Sequence, residues 1–251
     1  MFSITKLQND LEALGLRNGD SLLIHSAFSS LHRKASPKEF IDAVRDVLGN
    51  GTLLFPTLSW ANVTKDDPVF DVNKTPCCTG FLPEFFRTSY EGAIRSIHPT
   101  HSCAAVGGNA EWFVCGHELD STPVGANSPF RRLREAKGKI LFLGCGTCCN
   151  TSMHGVEELA VPPYVFGDKM TYTLTNRDGK TYDKVYTTHG FANTSQNYDR
   201  LEALLPEGTV SFGKVLDADC VLMDADAVWN TAYDYMKRDP LYFVTVRDDR
   251  S

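Results

Sequence analysis

The chain has 251 residues, of which 42% are hydrophobic and 22% are charged, so it can bury the core of one large domain or of two closely packed ones. Its formal net charge of −6 and its lack of a lysine or arginine run argue against nucleic acid or an anionic membrane surface as the main partner. No apolar stretch approaches the roughly 20 residues that span a bilayer, and we expect an unsecreted, cytoplasmic protein.

The N-terminal part alternates between helical and extended patterns. Apolar residues recur at helical spacing before Gly15, and Ser36 with Glu39 forms a capping box that starts a second helix with proline at its first position. We predict helices over Ile4–Leu14 and from Pro37 to Gly49, and strands over Ser21–His25 and Thr52–Pro56. This β-α-β order indicates parallel strands joined by a crossover helix.

The rest of the chain has a long polar excursion, residues 59–76, followed by mixed patterns. We predict strands at Ala93–Ile97, Ser102–Val106 and Lys139–Leu143, helices at Asn109–Cys115, after Ser128, at Tyr198–Leu205 and at Ala225–Lys237, and an antiparallel hairpin of Met170–Thr175 with Thr181–Thr187. No linker or repeat divides the chain. We therefore expect one α/β domain over residues 1–251, with a C-terminal α+β portion.

The cysteines invite a metal or redox interpretation that their spacing does not support. Cys145 and Cys148 form a C-x-x-C, but a structural zinc site needs a second such pair, and the adjacent Cys77 and Cys78 lack the two-residue separation. A thioredoxin-type motif would open a long helix near the N-terminus. We expect free thiols in a reducing compartment and no bound metal.

Other standard motifs fail as well. The sequence has no G-x-S-x-G elbow, and the G-x-x-x-x-G-K at residues 208–214 is followed by Val215 where a P-loop carries a hydroxyl residue. His98 and His101 form an H-x-x-H, but Pro99 between them favours a turn with polar side chains over a metal site.

A strand at Lys139–Leu143 runs into a glycine turn and then a helix start that carries His154 and Glu157. Residues three apart on a helix share a face. A histidine beside a carboxylate can take a proton from a nucleophile near pH 7, since imidazole titrates there and the carboxylate can orient it. A surface pair at this spacing is more often only a weak electrostatic contact, so the spacing alone leaves both interpretations open.

Five ordered blocks carry a family resemblance. They are HSAFSSL (His25–Leu31), FPTLSW (Phe55–Trp60), RSIHPTHSCAAVG (Arg95–Gly107), TPVGANSPFRRL (Thr122–Leu133) and GKILFLGCGTCCNTSMHGVEE (138–158). Together they strongly resemble the aminoglycoside 3-N-acetyltransferase family, and TTHGFANTSQNYDRLEALL and RDPLYFV resemble its closing segments. The resemblance implies acetyl transfer from acetyl-CoA to an amine, on an α/β fold with a mixed central sheet flanked by helices. It leaves open whether the protein is a homodimer.

The resemblance also implies roles for individual residues. The family's catalytic H-x-x-E maps onto His154 and Glu157. Coenzyme contacts are implied for the serine-rich loop, which maps onto His25–Leu31, and for the H-P-x-H-S block, which maps onto His98–Ser102. We add the hydroxyl of Thr57 from the FPTLSW block. The predicted coenzyme-binding residues are therefore His25, Ser26, Ala27, Phe28, Ser29, Ser30, Leu31, Thr57, His98, Thr100, His101 and Ser102. Loop amides or the hydroxyls of Thr57 or Ser29 are candidates for stabilising the oxyanion. Arg33 and Lys34 could meet the coenzyme phosphates or remain solvated.

The acceptor is the least determined part of the interpretation. Glu157 could orient the imidazole of His154 or hold the ammonium form of the substrate. Asp66, Asp71 and Asp120 could bind a polycation, although loop aspartates are usually solvated. The acceptor is then a small-molecule amine, either on an aminoglycoside or on another compound such as an aminophosphonate. A non-catalytic CoA-binding protein and a thiol- or zinc-dependent protein are the alternatives from other classes.

Overall fold

The structure, a computed structural model, describes residues 3–191 and 193–247. Its helices are α1 (Ile4–Leu14), α2 (Pro37–Leu48), α3 (Phe81–Ser89), α4 (Ala110–Val114), α5 (Pro129–Glu135), α6 (Met153–Ala160) and α7 (Ala225–Arg238). Its strands are β1 (Ser21–Ser26), β2 (Thr52–Pro56), β3 (Val69–Asp71), β4 (Ile94–Arg95), β5 (Cys103–Gly107), β6 (Lys139–Leu143), β7 (Phe166–Thr175), β8 (Thr181–His189), β9 (Thr194–Gln196), β10 (Val210–Val215), β11 (Ala218–Asp224) and β12 (Val244–Val246). Short 3₁₀ helices cover Phe28–Leu31, His117–Leu119, Thr147–Cys149 and Tyr198–Ala203.

The central sheet runs in the order β10-β11-β6-β1-β2-β5-β4. Its middle strands β6, β1 and β2 are parallel, and the strands on either side pair antiparallel. The predicted α/β fold with a mixed central sheet is thereby confirmed, as is the parallel pairing across the first crossover helix. Smaller pairings hold the C-terminal portion together, in the order β3-β7-β8 and between β9 and β12.

Helices cover both faces of the central sheet because the buried strands are apolar on both sides. Along β1, Leu22 and Ile24 belong to the cluster under α1 and α2, whereas Leu23 faces the cluster under α4 to α7. The second cluster includes Trp229 of α7, which is 1% exposed. Burying a large apolar side chain contributes about 1.5–3 kcal/mol, so these two clusters supply most of the stability of the fold.

Two predicted elements differ from the structure, and a third region forms strands where no element was predicted. The segment Tyr198–Leu205 forms a 3₁₀ helix over Tyr198–Ala203 rather than an α-helix. The strand Ala93–Ile97 shortens to β4. The region after residue 208, which carries the G-x-x-x-x-G-K that does not continue as a P-loop, forms the hairpin of β10 and β11. This hairpin extends the central sheet beside β6.

The site is positioned by the loops that leave the carboxyl ends of β1, β2 and β6. Parallel strands present these ends at one edge, so their loops meet. Ala27 N donates to the Leu143 carbonyl at 2.9 Å, and Gly144 has a φ of 64°. A β-carbon at Gly144 would overlap Ser30 Oγ, which is why a glycine is needed there.

In the described part of the chain, no helix is both long and apolar enough to cross a membrane.

Candidate active site

His154 and Glu157 lie one turn apart on α6 and form a hydrogen-bonded pair. His154 Nδ1 lies 2.9 Å from Glu157 Oε2, which fixes Nδ1 as the protonated ring nitrogen. The carboxylate is fully buried, and the imidazole is 12% exposed. Nε2 has no hydrogen-bond partner among residues 3–191 and 193–247 and is left as the basic nitrogen. This is a buried, oriented pair, unlike the solvated surface pair that the same spacing usually gives.

Two tyrosines hold the carboxylate from the other side. Tyr198 donates to Glu157 Oε2 at 2.9 Å and lies 3.2 Å from His154 Nδ1, and Tyr164 donates to Oε1 at 3.0 Å. Burial, followed by the charge of Glu157, raises the pKa of both phenols, that of Tyr198 well above its ordinary value. Both hydroxyls therefore stay protonated and donate to the oxygens of Glu157.

Helix α6 carries this pair because it packs closely on α7. A β-carbon at Gly155 would overlap the ring of Trp229, so only glycine lets the two helices approach this far. Trp229 Nε1 donates to Ser152 Oγ at 2.7 Å. The contact fixes the start of α6 and with it the direction of the His154 side chain.

Further histidines surround His154 and form a buried cluster, which we call the histidine cluster. It consists of His98, His101, His117 and His189. The ring of His154 lies 5.5 Å from that of His101 and 5.2 Å from that of His189, centroid to centroid. Burial, and then the proximity of the other rings, lowers the pKa of His98 and His101 well below the ordinary value. Burial lowers the pKa of His117 to about 3. The cluster is therefore neutral at pH 7 and adds no positive charge beside His154.

A second histidine and glutamate pair adjoins the first. His189 Nε2 lies 2.8 Å from Glu158 Oε1, and burial lowers the pKa of His189 well below its ordinary value. Glu158 also accepts from Val124 N at 2.7 Å and from the Thr122 hydroxyl. Burial raises the pKa of Glu158. Because Glu157 and Glu158 are consecutive, one helical turn anchors both histidines.

The His154–Glu157 pair adjoins a cavity of about 410 Å³, which we call the His154 cavity. Trp60, 58% exposed, stands at its rim, and Phe191 packs on the His154 ring at 4.8 Å. The lining residues are Trp60, His101, Cys148, Cys149, Thr151, His154, Phe191, Thr194, Gln196 and Tyr198. Of the residues proposed from the sequence, the structure thus brings His154 and His101 to this cavity, with Glu157 buried directly behind.

Thr57 and Ser102 lie together, but inside the protein. Thr57 Oγ1 donates to the Ser102 carbonyl at 3.2 Å, and Arg95 donates to the Thr57 carbonyl at 2.6 Å and to Ser102 Oγ at 2.8 Å. Burial lowers the pKa of Arg95 to about 9. The Thr57 hydroxyl is therefore used in a buried network and does not line the His154 cavity, which weighs against its candidacy as an oxyanion donor.

The H-P-x-H-S block forms the tight turn that its proline predicts. His98 Nδ1 accepts from the backbone amides of Thr100 and His101, at 3.2 and 3.0 Å. The Thr100 hydroxyl lies 2.8 Å from His101 Nδ1. Within residues 3–191 and 193–247, no group of three histidine, cysteine or acidic side chains is arranged to hold a metal ion.

The end of β1 and the serine-rich loop that follows it contain buried polar atoms that lack hydrogen-bond partners among the described residues. Ser26 Oγ, Ser30 Oγ and His25 Nε2 are buried, and none of them has a hydrogen-bond partner among the described residues. His25 stacks on Phe142 at 5.2 Å, and burial lowers its pKa to about 3. Phe28 packs beside Phe40, whereas Ser29 is exposed. An unsatisfied buried polar atom costs free energy.

The three candidate aspartates lie away from the His154 cavity. Asp66 is exposed, and Asp71 caps its own turn by accepting from Asn73 N at 2.9 Å. Asp120 accepts from the backbone and side-chain amides of Asn127, and burial raises its pKa. None of the three lines the cavity among the described residues, and Asp71 and Asp120 are committed to shaping their loops. They remain candidates only for a more distant part of a large acceptor.

The neighbouring cations and thiols are placed as follows. Lys34 pairs with Asp217, and Arg33 is exposed. Cys148 and Cys149 line the His154 cavity, with all cysteines of the described residues free.

Sequence reasoning assigned no role to several residues of the site, namely Trp60, Tyr164, Glu158, His189, Phe191 and Tyr198. Three of them, His189, Phe191 and Tyr198, stand in the string TTHGFANTSQNYDRLEALL, which resembles a closing segment of the family. That string was the available signal. Its residues reach the site only because β8 and the following 3₁₀ helix fold back over α6.

Comparisons with known proteins give a consistent result. A family profile described as aminoglycoside 3-N-acetyltransferase matches residues 23–237. The chain is 32% identical to aminoglycoside N(3)-acetyltransferase VII of Streptomyces paromomycinus over 228 residues, covering 83% of this chain and 77% of that protein. It is 31% identical to aminoglycoside N(3)-acetyltransferase IV of a Salmonella species over 244 residues, covering 95% of this chain and 89% of that protein.

Two solved structures are similar throughout. The binary complex of AAC-IIIb with CoASH has a TM-score of 0.81 and 29% identity, covering 94% of this chain and 96% of the other. A histidine-to-alanine variant of aminoglycoside acetyltransferase AAC(3)-IVa in complex with a gentamicin has a TM-score of 0.82 and 30% identity, covering 96% and 91%.

Proposed function

Because this chain belongs to the aminoglycoside 3-N-acetyltransferase family and is an acetyl-CoA-dependent N-acetyltransferase, we propose that it acetylates a primary amine of an aminoglycoside, with His154 as general base. The observation that carries the proposal is the orientation of His154, whose Nδ1 is bound to Glu157 while Nε2 is left for the cavity. The names of the relatives support the acceptor class, since they are aminoglycoside N(3)-acetyltransferases.

The chemistry needs a base because only a neutral amine attacks a thioester, and a primary amine is largely protonated at pH 7. Bound acetyl-CoA supplies the activated acyl carbon and the thiolate leaving group. His154 Nε2 removes a proton from the amine, and the positive charge that develops on the imidazole is stabilised by Glu157 at 2.9 Å. A positioned base of this kind contributes roughly 10²–10⁴ in rate.

We assign Glu157 to orienting His154 rather than to binding the substrate ammonium. Its side chain is fully buried, and its oxygens already accept from His154, Tyr198 and Tyr164. A carboxylate in that position has no exposed oxygen for a bulky cation.

The serine-rich loop fits the coenzyme. The pantetheine arm carries amide groups, which can donate to and accept from hydroxyls. Ser26 Oγ and Ser30 Oγ are buried hydroxyls that lack partners among the described residues. Because both oxygens are covered in this structure, the loop has to shift before a bound arm can reach them, and the new hydrogen bonds then offset a desolvation cost of about 1–3 kcal/mol each. A homodimer stays a prediction, which sedimentation velocity of the purified protein would test.

The decisive experiment follows the loss of the thioester absorbance of acetyl-CoA with a panel of amines, together with calorimetric titration of acetyl-CoA alone. We expect binding of acetyl-CoA and turnover with aminoglycosides. Turnover with aminophosphonates alone would keep the reaction and replace the acceptor. Binding without turnover on any amine would instead support a non-catalytic CoA-binding protein, and absence of binding would overturn the assignment.

A further inference from the structure

The 3₁₀ turn Thr147–Cys149 separates two cavities, and a close pair of thiols spans it. On one side is the His154 cavity, lined by Cys149. On the other is a cavity of about 630 Å³ lined by Cys145, Cys220, Lys214 and Phe212, among others, which we call the second cavity. The Sγ atoms of Cys145 and Cys149 lie 3.3 Å apart. The two sulfurs are therefore in contact through the wall between the cavities.

We propose that Cys145 and Cys149 form a thiol–disulfide exchange site that low-molecular-weight disulfides oxidise. A disulfide has an S–S bond of about 2.05 Å, so the pair needs to close by only about 1.2 Å. The two residues are four apart and half-buried, and Cys145 directly precedes the turn that carries Cys149. The chain thus holds the two sulfurs close to bonding distance while both are reduced.

The exchange proceeds in two balanced steps. The Cys145 thiolate attacks one sulfur of the small disulfide, forming a mixed disulfide and releasing one small thiolate. Cys149 then loses its proton to solvent and its sulfur attacks the Cys145 sulfur, releasing the second small thiolate, which takes up a proton. Two protein thiols are oxidised and one small disulfide is reduced to two thiols.

The surroundings assign the two roles to different cysteines. Cys145 lines the second cavity, whose volume of about 630 Å³ is the space that we assign to the small disulfide. The Cys149 thiol lies within donating distance of both Cys145 Sγ and, at 3.0 Å, the Gly146 carbonyl. Donation to Cys145 lowers the pKa of the Cys145 thiol and raises that of Cys149. Cys145 is therefore the attacking thiol and Cys149 the resolving one.

Oxidation would also change the His154 cavity, a consequence that rests on the proposed function. Closing the bond draws the Cys149 side chain out of the cavity wall toward Cys145 and tightens the turn that carries Cys148. Both residues line the cavity next to His154. We expect the disulfide form to bind the acceptor differently, with a change in its KM.

The test treats purified reduced protein with oxidised glutathione and maps disulfides by peptide mass spectrometry. We expect a loss of about 2 Da, because two thiol hydrogens leave, located in the peptide that contains both cysteines and reversed by dithiothreitol. In Cys149→Ser, a mixed disulfide with glutathione should persist on Cys145. Cys115, which is exposed, serves as the comparison thiol and should be modified more slowly in wild type.

The activity measurement is separate, so that the two proposals can fail independently. Acceptor KM in wild type should change after oxidation and recover on reduction, whereas the KM of Cys145→Ser should not respond to oxidised glutathione. A disulfide that forms without any change in KM would sink the link to the cavity. No Cys145–Cys149 disulfide, or one that pairs either cysteine with Cys148 or Cys220 instead, would overturn the exchange site whether or not the enzyme turns over.

Discussion

Replacing His154 tests the proposed base directly. In His154→Ala the amine loses its proton acceptor, and we expect turnover to fall roughly 10²–10⁴-fold, or about 3–5 kcal/mol in activation free energy. Acetyl-CoA affinity should stay near wild type, because the serine-rich loop is not altered. The matched control is His32→Ala, since His32 is exposed and makes no contact with the His154 cavity.

Replacing Glu157 tests whether its carboxylate supports His154 as the base. In Glu157→Gln an amide oxygen can still accept from His154 Nδ1, but the charge that stabilises the imidazolium is lost. Hydrogen bonds to charged groups contribute about 1.5–3 kcal/mol, so a loss of about ten- to hundredfold is expected. In the double variant the carboxylate has no imidazole left to orient. The two losses should therefore be far from additive.

The assay is steady-state loss of the thioester absorbance over a range of pH, which avoids thiol reagents that would react with the protein's own cysteines. Rising pH should partly rescue His154→Ala, since more of the amine is then neutral. Losses that simply add would place Glu157 on the substrate. A His154→Ala enzyme that is fully active at pH 7 would show that another group is the base.

Further outcomes follow from other contacts of the site. Burial lowers the pKa of His117 to about 3, so below pH 6.5 the unfolded chain takes up a proton at His117 that the native state does not bind. Between pH 6.5 and 5, the free energy of unfolding should therefore fall by about 1.6 kcal/mol more in wild type than in His117→Asn. An equal fall in the two proteins, measured by denaturant titration, would refute this. Gly155→Ala would push a methyl group into Trp229 and should destabilise the fold by about 1–3 kcal/mol in urea titrations, whereas an unchanged midpoint would mean that α6 and α7 are less closely packed. Trp60→Ala should raise acceptor KM about tenfold, the equivalent of about 1.4 kcal/mol, with acetyl-CoA affinity unchanged, and Trp60→Phe should recover most of it; equal KM values would remove Trp60 from the acceptor site. Direct transfer needs no acyl-enzyme, so intact mass during turnover should show no acetylated Cys149, and a kinetically competent acetyl adduct would change the mechanism.

Local signals predicted much of the first half of the fold. The capping box at Ser36 and Glu39 forms as expected, and both of its hydrogen bonds are present. The apolar runs of β1, β2 and β6 are strands because each is buried on both faces. In contrast, β10 is an outer strand with Phe212 62% exposed and Gly213 and Lys214 in its middle, so its pattern does not alternate as a half-buried strand would.

The site was predictable only where its residues are close in sequence. The i, i+3 spacing of His154 and Glu157 predicts the pair, whereas its role as a base is implied by the family resemblance. The hydrogen bond from Tyr198 joins residues 41 apart, and that from His189 to Glu158 joins residues 31 apart. No local rule gives such contacts, because they depend on how β8 and the 3₁₀ helix after β9 fold back over α6. Asp120 could not be predicted to be buried, because it stands in a polar stretch of sequence that is typical of an exposed loop.

The contact between Gly144 and Ser30 makes the conformations of two loops depend on each other. The serine-rich loop and the cysteine-bearing loop leave neighbouring strands and touch where Gly144 has no side chain. Gly144 has a φ of 64°, and a β-carbon there would overlap Ser30 Cβ as well as Oγ, so a smaller residue at 30 does not by itself make room for a side chain at 144. A substitution at this junction therefore disturbs both loops at once, whereas Trp60, Phe191 and Gln196 line the His154 cavity without taking part in this contact.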